Sequence, residues 1–477
     1  MSRTPFIRLT LALALGVVLA ACNGGAGTPA PTGPGATGTP ATGTPGTTPD
    51  ATPGTTPGGT PAGTPATSPD TSPGAGAQCP DSARDQTVTM WSPLTGPDGD
   101  EMTELAGQFS QENEYGITVN HEPQADYMDV LRAGALGGQL PTMTVARVVN
   151  VGELVEANAL QPFTDELLGI IGTDAASLFP ENVWGPGEYE GERYSIPLDM
   201  HPLVMYYNRN LFQQANVEEP GTEPWTREEF DAALTALNDA GVKPLAIGTH
   251  FQGGALFQTL IQQYGGALTN AEGTEVTYNS EAGVRAMERL LQLRDDYSEN
   301  ISGAGDPEAQ EYIAGSAAIL FHGPWWITGM QDQTDFTGFA AVPQMGDEYA
   351  VWGGSHQFAL TSSDPAQQAA AACWIGWMSE NSVQWGAAGQ VPARTSARED
   401  PQLTEIAPAI DAIAASGPDV IILPQVPGIE DALWGQGFGP VVDRLLIEGV
   451  PDIGAALDEA AQRSQQIIDD NAQSRGG

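Results

Sequence analysis

Apolar and polar residues alternate along "QTVTMWSPL", residues 86–94, until Pro93 breaks the run, which predicts a strand passing into a loop. Apolar positions then recur at helical spacing through Met102, Leu105, Ala106 and Phe109, with Gly116 as the stop. "ITVNHEP" (117–123) predicts a second strand, "DYMDVLRAGALGG" (126–138) a helix, "MTVARVV" (143–149) a strand and "VGELVEANALQPF" (151–163) a helix leading into a loop. Strand and helix alternating at this spacing predict an α/β fold with a largely parallel sheet.

Farther on, "ERYSIPLDMHPLVMYYNRNLF" (192–212) reads as two short strand-like runs broken by Pro197 and Pro202. "PWTREEFDAALTALNDAG" (224–241) predicts a helix with a capping box, Thr226 as N-cap and Glu229 three residues later. "VKPLAIG" predicts a strand; "GALFQTLIQQYGG" and "SEAGVRAMERLLQLRDDY" predict helices. "GSAAILFHGPW" reads as a strand into a loop. "DFTGFAAVPQM" and "YAVWGGSHQFALT" read as strands, and "PAQQAAAACWIGWMS" as a helix. The last 70 or so residues are mostly helical, interrupted by "ILPQVPG", and no internal repeat is present.

The N-terminus speaks to location. Arg3 and Arg8 precede an apolar run, "LTLALALGVVLAA", too short to span a bilayer comfortably. It ends in Leu19-Ala20-Ala21-Cys22, the pattern of a bacterial lipobox, so residues 1–21 are expected to be a signal peptide and Cys22 the lipidated new N-terminus. Residues 22–83 are dominated by Gly, Thr, Pro, Ala and Ser. Such a segment buries too little apolar surface to offset its ordering entropy, and is expected to be a disordered tether with a reach of roughly 40 Å.

The formal net charge is −43, and Lys243 is the only lysine. Removing residues 1–21 takes away Arg3 and Arg8 and no acid, leaving −45. This balance argues against nucleic acid and anionic membrane surfaces as partners, and fits an acidic surface suited to high salt. Besides Cys22, the chain holds Cys79 and Cys373. An extracytoplasmic compartment permits a disulfide, whereas a Cys inside an apolar helix is more often a small buried hydrophobe. No Cys/His spacing indicates a metal, and no cofactor motif appears.

Four passages carry a family resemblance: "VMYYNRNLF" (204–212), "PWTREEFDAAL" (224–234), "GSAAILFHGPWWITGM" (315–330) and "GQVPARTS" (389–396). In this order and spacing they resemble the extracellular solute-binding proteins, family 1, of bacterial ABC sugar importers, similar to maltose-binding protein. The resemblance covers about residues 84–477 and departs from the family at Pro141-Thr142, where many relatives carry Pro-Asp. It implies a periplasmic-binding-protein-like fold (type II) of two α/β lobes, with three inter-lobe crossovers and a ligand cleft between the lobes. Carried over, lobe 1 is 84–198 plus 353–392 and lobe 2 is 199–352 plus 393–477. The implied protein is a monomer, anchored by lipid on the outer face of the cytoplasmic membrane. It is expected to capture a mono- or oligosaccharide by lobe closure and deliver it to ABC permease transmembrane subunits served by a cytoplasmic ATPase. A sugar-sensing subunit would use the same fold.

A sugar site needs aromatic faces for C–H surfaces, and carboxylate, amide and guanidinium groups for hydroxyls. The candidates at predicted strand ends and crossings are Trp91, Tyr127, Arg147, Asp199, His201, His250, Phe251, Gln252, Trp325, Trp326, Ser355, His356, Arg394, Gln425 and Trp434. Trp352 reads equally as core or site, Asp126 and Asp199 equally as caps, and Arg147 equally as the partner of a structural carboxylate. Of the Trp pair, Trp325 is expected at the cleft and Trp326 in packing. The adjacent Tyr206 and Tyr207 admit a paired-tyrosine iron site but read better as strand residues. No nucleophile elbow, phosphate loop or carboxylate-pair motif is present, so no enzyme is expected. The rival reading is a surface glycoside-processing enzyme.

Overall fold

The structure, a computed structural model, describes residues 79–475 apart from 173–174, 300, 302, 304–305, 415 and 450. The expected signal peptide, Cys22 and all but the last residues of the expected tether lie outside the described residues. Among the described residues no helix is long and apolar enough to cross a membrane.

Two larger sheets carry the fold. In the first, Thr118–Pro123, Thr87–Ser92 and Met143–Arg147 lie side by side and parallel, as the early strand–helix alternation predicts. The sheet then continues with His356–Leu360, antiparallel to Met143–Arg147, and Ser195–Pro197, antiparallel in turn. In the second, Val204–Asn208 pairs antiparallel with both Ile319–His322 and Thr337–Ala341, and Ile319–His322 runs parallel to Leu245–Ala246. The expectation of a largely parallel sheet therefore holds only up to Arg147. Beyond it the chain returns from one sheet to the other and most strands pair antiparallel, whereas Leu245–Ala246 with Ile319–His322 and Val351–Gly354 with Val420–Ile421 remain parallel.

The run expected as two short strands is three, and each proline marks a change of sheet. Pro197 ends the first-sheet strand, Asp199–Pro202 belongs to a small third sheet, and Val204 starts the second-sheet strand. Proline suits such ends because it has no N–H to give a ladder. The third sheet is made at the crossings: Asp199–Pro202 pairs with Val391–Pro392 and with Val351–Gly354, which pairs with Val420–Ile421. Gly354 faces His201 across this ladder, and its Cα lies so close to the His201 ring that any side chain would collide with Nε2.

Apolar burial follows the predicted faces. Met102, Leu105, Ala106 and Phe109 all point into the core from the helix Pro97–Glu112. This helix ends before Gly116, because Asn113 takes over the chain: its side chain accepts from the Ile117 N–H at 2.9 Å. Phe109, Trp374 and Trp377 cluster beneath the first sheet, with ring centroids 5.3–5.7 Å apart. The second sheet packs against Phe251–Gln263 and Glu281–Tyr297, and the capping box of Thr226 and Glu229 starts the helix Arg227–Asp239 as read from sequence. Cys373, inside the helix Pro365–Glu380, is bonded to Cys79, with Cα atoms 5.7 Å apart. The commoner fate of a buried apolar Cys gives way here, since the start of the described chain lies against that helix. The bridge spans 294 residues of sequence, so it restrains a long stretch of the unfolded chain.

Candidate functional site

The three crossings meet beside a cavity of about 970 Å³. Its floor is built by the crossings themselves. Asp199, wholly buried, accepts four hydrogen bonds. Its Oδ1 takes the His356 backbone N–H at 2.8 Å and His201 Nδ1 at 3.3 Å, and its Oδ2 takes His356 Nδ1 at 2.9 Å and Trp385 Nε1 at 3.1 Å. That fills the acceptor capacity of a carboxylate. Burial alone would raise the Asp199 carboxyl, but the charge of His356 and the hydrogen bonds from both imidazoles outweigh it and hold it well below the usual carboxylate range. Burial lowers His201, helped by the neighbouring charge of His356. For His356 burial is overcome by Asp199, and its value rises. Both imidazoles line the cavity, and among the described residues neither Nε2 has a hydrogen-bond partner.

Asp98 and Gln390 complete the floor. Asp98 lies in the first turn of Pro97–Glu112, where its Oδ1 accepts the N–H groups of Gly99 at 2.9 Å and Gly96 at 3.2 Å. Burial raises its carboxyl, against the pull of His356 and of these N–H groups. Gln390, wholly buried, points its Nε2 toward Asp98 Oδ2 at 3.5 Å and has no partner for Oε1.

The wall is aromatic. Phe251 sits at its hub, with centroids 5.1 Å from Trp325, 5.0 Å from Trp352 and 6.3 Å from Trp434; the first two meet it edge to face. The strand Ile319–His322 stops before Pro324, as expected, and a helical turn, Pro324–Trp326, presents both tryptophans. Gly323 serves for a different reason than a turn. Its φ of −73° suits any residue, but the Trp325 ring folds over its Cα and leaves no room for a Cβ. Tyr206 Oη donates to the Gly323 carbonyl at 2.7 Å and holds this corner, while Tyr207 Oη donates to Glu219 at 2.9 Å. The two tyrosines fall on opposite faces of their strand, so they cannot share an ion.

Behind the wall lies a second carboxylate–imidazole group, Asp306, Glu308 and His322. The Gly323 N–H donates to His322 Nδ1 at 2.9 Å, so the proton resides on Nε2, which faces Asp306 Oδ1 at 3.6 Å. Glu308 is 1 % exposed, its Oε2 has no partner among the described residues, and burial pushes its carboxyl up to about 7.

At the mouth, Arg147 holds Glu430 with two prongs, 2.6 and 3.1 Å, and Asn150 Nδ2 donates to the same carboxylate at 3.0 Å. Tyr127 Oη donates to Asn150 Oδ1. Arg147 thus has the carboxylate partner that sequence left open, and it lines the cavity as well.

Of the candidates, the structure brings Tyr127, Arg147, His201, Phe251, Trp325, Trp326, Ser355, His356 and Trp434 to the cavity. Trp326, expected in packing, is half-buried and lines it too. Six candidates lie outside the lining. Asp199 stands one layer behind, orienting the imidazoles. Trp91 turns toward the sheet edge and donates to Glu122 at 2.9 Å. Gln252 is wholly buried, donating to the carbonyls of Ala246 and Phe321, both at 2.9 Å. His250 is exposed and held by Asp443, its backbone at φ +60° turning the chain so that Phe251 starts the helix. Arg394 bonds Ser379 at 2.9 Å and Ser396 at 3.0 Å. Gln425 accepts the Gly152 N–H at 3.1 Å.

Sequence reading missed Asp98, Gln258, Gln390 and Glu430 in the lining. A signal existed for two of them: Asp98 follows Gly-Pro at the end of the first strand, and Gln390 stands directly before the third crossing. Glu430 carries no local mark.

Two sheets joined through three crossings, with a cavity beside them, define a two-lobe solute-binding fold. Residues 104–410 match the model of the bacterial extracellular solute-binding proteins, and the chain belongs to that family. It is 23% identical to the maltodextrin-binding protein MdxE of Bacillus subtilis over 64% of this chain and 73% of that protein. It is 22% identical to the sn-glycerol-3-phosphate-binding periplasmic protein UgpB of Salmonella typhimurium, over 66% and 75%. Among solved structures, the sugar-binding protein MalE of Xanthomonas citri superposes with a TM-score of 0.69 at 19% identity, covering 81% of this chain and 98% of that one.

Proposed function

We propose that this protein is the lipid-anchored, extracytoplasmic substrate-binding subunit of an ABC importer. It captures a short oligosaccharide between lobes 84–198 plus 353–392 and 199–352 plus 393–477, and delivers it to a permease. The observation that carries this reading is the cavity with an aromatic wall beside a hydrogen-bonding floor. Ring faces of Phe251, Trp325, Trp352 and Trp434 suit the C–H surfaces of sugar rings. His201, His356, Asp98 and Gln390 suit hydroxyls. The volume stands at the upper end of the roughly 300–1,000 Å³ range of small-molecule sites, which favours several rings over one. A phosphate-bearing ligand, as UgpB's name records for that protein, is less well supported here: Arg147, the only arginine or lysine in the lining among the described residues, is held by Glu430.

A thermal-shift and calorimetric screen of mono- and oligosaccharides tests the reading. A true ligand at 100 times its Kd adds about 2.7 kcal/mol to native stability and is recovered unchanged. No stabilisation by any carbohydrate rejects the reading, and recovery of shortened sugars favours the glycoside-processing alternative. Anchoring is tested separately. Cys22→Ala is expected to move the protein out of the membrane fraction, and continued retention counts against lipidation.

A further inference from the structure

The cavity floor carries more negative charge than the protein balances. Asp98 is 8 % exposed and makes no ion pair among the described residues; its Oδ2 meets only the Gln390 amide, at 3.5 Å. The N-terminus of its helix supplies a partial positive charge, which favours the charged form against the burial that raises its carboxyl, without cancelling that charge. Asp199, buried nearby, is a second carboxylate. Even with His356 protonated, two carboxylates face one imidazolium. Arg147, the only arginine or lysine in the lining among the described residues, is held by Glu430. Buried charge is costly unless paired, so a site that leaves one unmatched is complete only with its ligand.

A second, independent observation concerns hydrogen bonding. At the floor, among the described residues, Oε1 of the wholly buried Gln390 is an acceptor without a partner, and so is Nε2 of His201 when this ring donates through Nδ1 to Asp199. An ammonium group offers three donors and no acceptor. The wall adjoins this floor, with the His201 ring 6.1 Å from Trp325 and 6.2 Å from Trp352, so a cation held by the floor also lies near ring faces that attract it.

We propose that the ligand is a carbohydrate bearing a free amino group, whose ammonium is seated between Asp98 and the aromatic wall. This rests on the carbohydrate reading and narrows it. A hydroxyl in the same place would fill one acceptor but leave the charge of Asp98 unmatched. An acetamido group would offer one N–H but no charge to match the carboxylate.

The test uses the mature chain at pH 6, where amines are protonated, and calorimetric titration with trimers that differ only at the sugar C2: chitotriose, its tri-N-acetyl form and cellotriose. Glucosamine, N-acetylglucosamine and glucose repeat the comparison without a linkage, and maltotriose serves as a further neutral probe. The amine is expected to bind at least about ten-fold tighter than its hydroxyl and acetamido counterparts, the range of a charge-assisted hydrogen bond. In Asp98→Asn that ratio is expected to fall to within about three-fold. Binding of neutral sugars with no preference for the amine overturns the inference and leaves the carbohydrate reading standing. Binding of none of the probes rejects both. An Asp98→Asn protein that keeps the preference removes Asp98 from the role. Should that variant fail to fold, the preference of the parent protein decides, and it should shrink in molar NaCl if charge is its source.

Discussion

Floor and wall are each backed by a buried carboxylate beside imidazole, and the two are in opposite conditions. Asp199 beneath the floor receives four donors, from His201, His356 twice and Trp385. Glu308 behind the wall has an oxygen with no partner among the described residues. Both are almost fully buried, so burial does not distinguish them. What differs is the charge of His356 and the supply of donors, and together they reverse the sign of the effect: the Asp199 carboxyl is held low, the Glu308 carboxyl is pushed up to about 7. The floor is therefore a rigid frame whose loss shows in stability. The wall is a set of half-buried rings whose loss shows in binding.

The largest effect is expected from Asp199→Ala. It strands the Nδ1 groups of both imidazoles, the Trp385 indole N–H and a backbone N–H, and should cost about 3–5 kcal/mol of unfolding free energy in urea titration. A loss below about 1 kcal/mol would mean that the floor is not framed by this residue.

Next in size is a contrast in pH dependence. Asp199, depressed in the folded state, contributes stability that is present above the ordinary carboxylate range and is lost as pH falls through its lower folded value. Glu308 acts in the opposite direction. Between its ordinary value of 4.5 and about 7 the folded protein keeps a proton that the unfolded chain has released, so stability falls as pH rises through this window and the loss is constant above it. Glu308→Gln should remove that decline and raise stability at pH 8 by about 1–3 kcal/mol. Unfolding curves from pH 4 to 8 check it, and an unchanged slope refutes the contrast.

Smaller effects concern the wall. Trp325→Ala should weaken carbohydrate binding by about 10- to 100-fold, with less than about 1 kcal/mol lost from the unliganded protein. Trp326 shares the cavity, is half-buried and packs against the buried apolar core. Its replacement by Ala should cost the unliganded protein only about 1–2 kcal/mol, less than the 3–5 kcal/mol of a fully buried ring. Calorimetry and melting curves on both variants separate the roles, and strong melting of the Trp325 variant would place that ring in the frame. The smallest effect belongs to the mouth. Glu430→Gln removes a partly exposed ion pair and should lower stability by no more than about 1 kcal/mol, readable as a shift of the urea midpoint.

The order of short strands, the capping box at Thr226, the stop at Pro324 and the aromatic residues flanking each break were legible in the sequence, because each follows from local geometry. Periodicity decides which face is apolar, proline ends a ladder, and Thr with Glu three residues on closes a helix. The ordered motifs from Val204 to Ser396 were enough to point to the family. Polar partnerships were not legible, since they join residues far apart along the chain. His201 and His356 share one carboxylate across 155 positions, and Arg147 meets Glu430 across 283. No spacing rule reports such a meeting. Gln252 and Phe251 are neighbours in sequence, yet one fastens the core and the other faces the cavity, a choice made by the strained turn at His250 and the helix it starts. The amino acids alone determined the elements, their order and the kinds of side chain available at the crossings. Only the tertiary structure decided which of those side chains are consumed by one another and which are left to a ligand, because hydrogen bonding and burial depend on the whole surrounding shell and not on the neighbours along the chain.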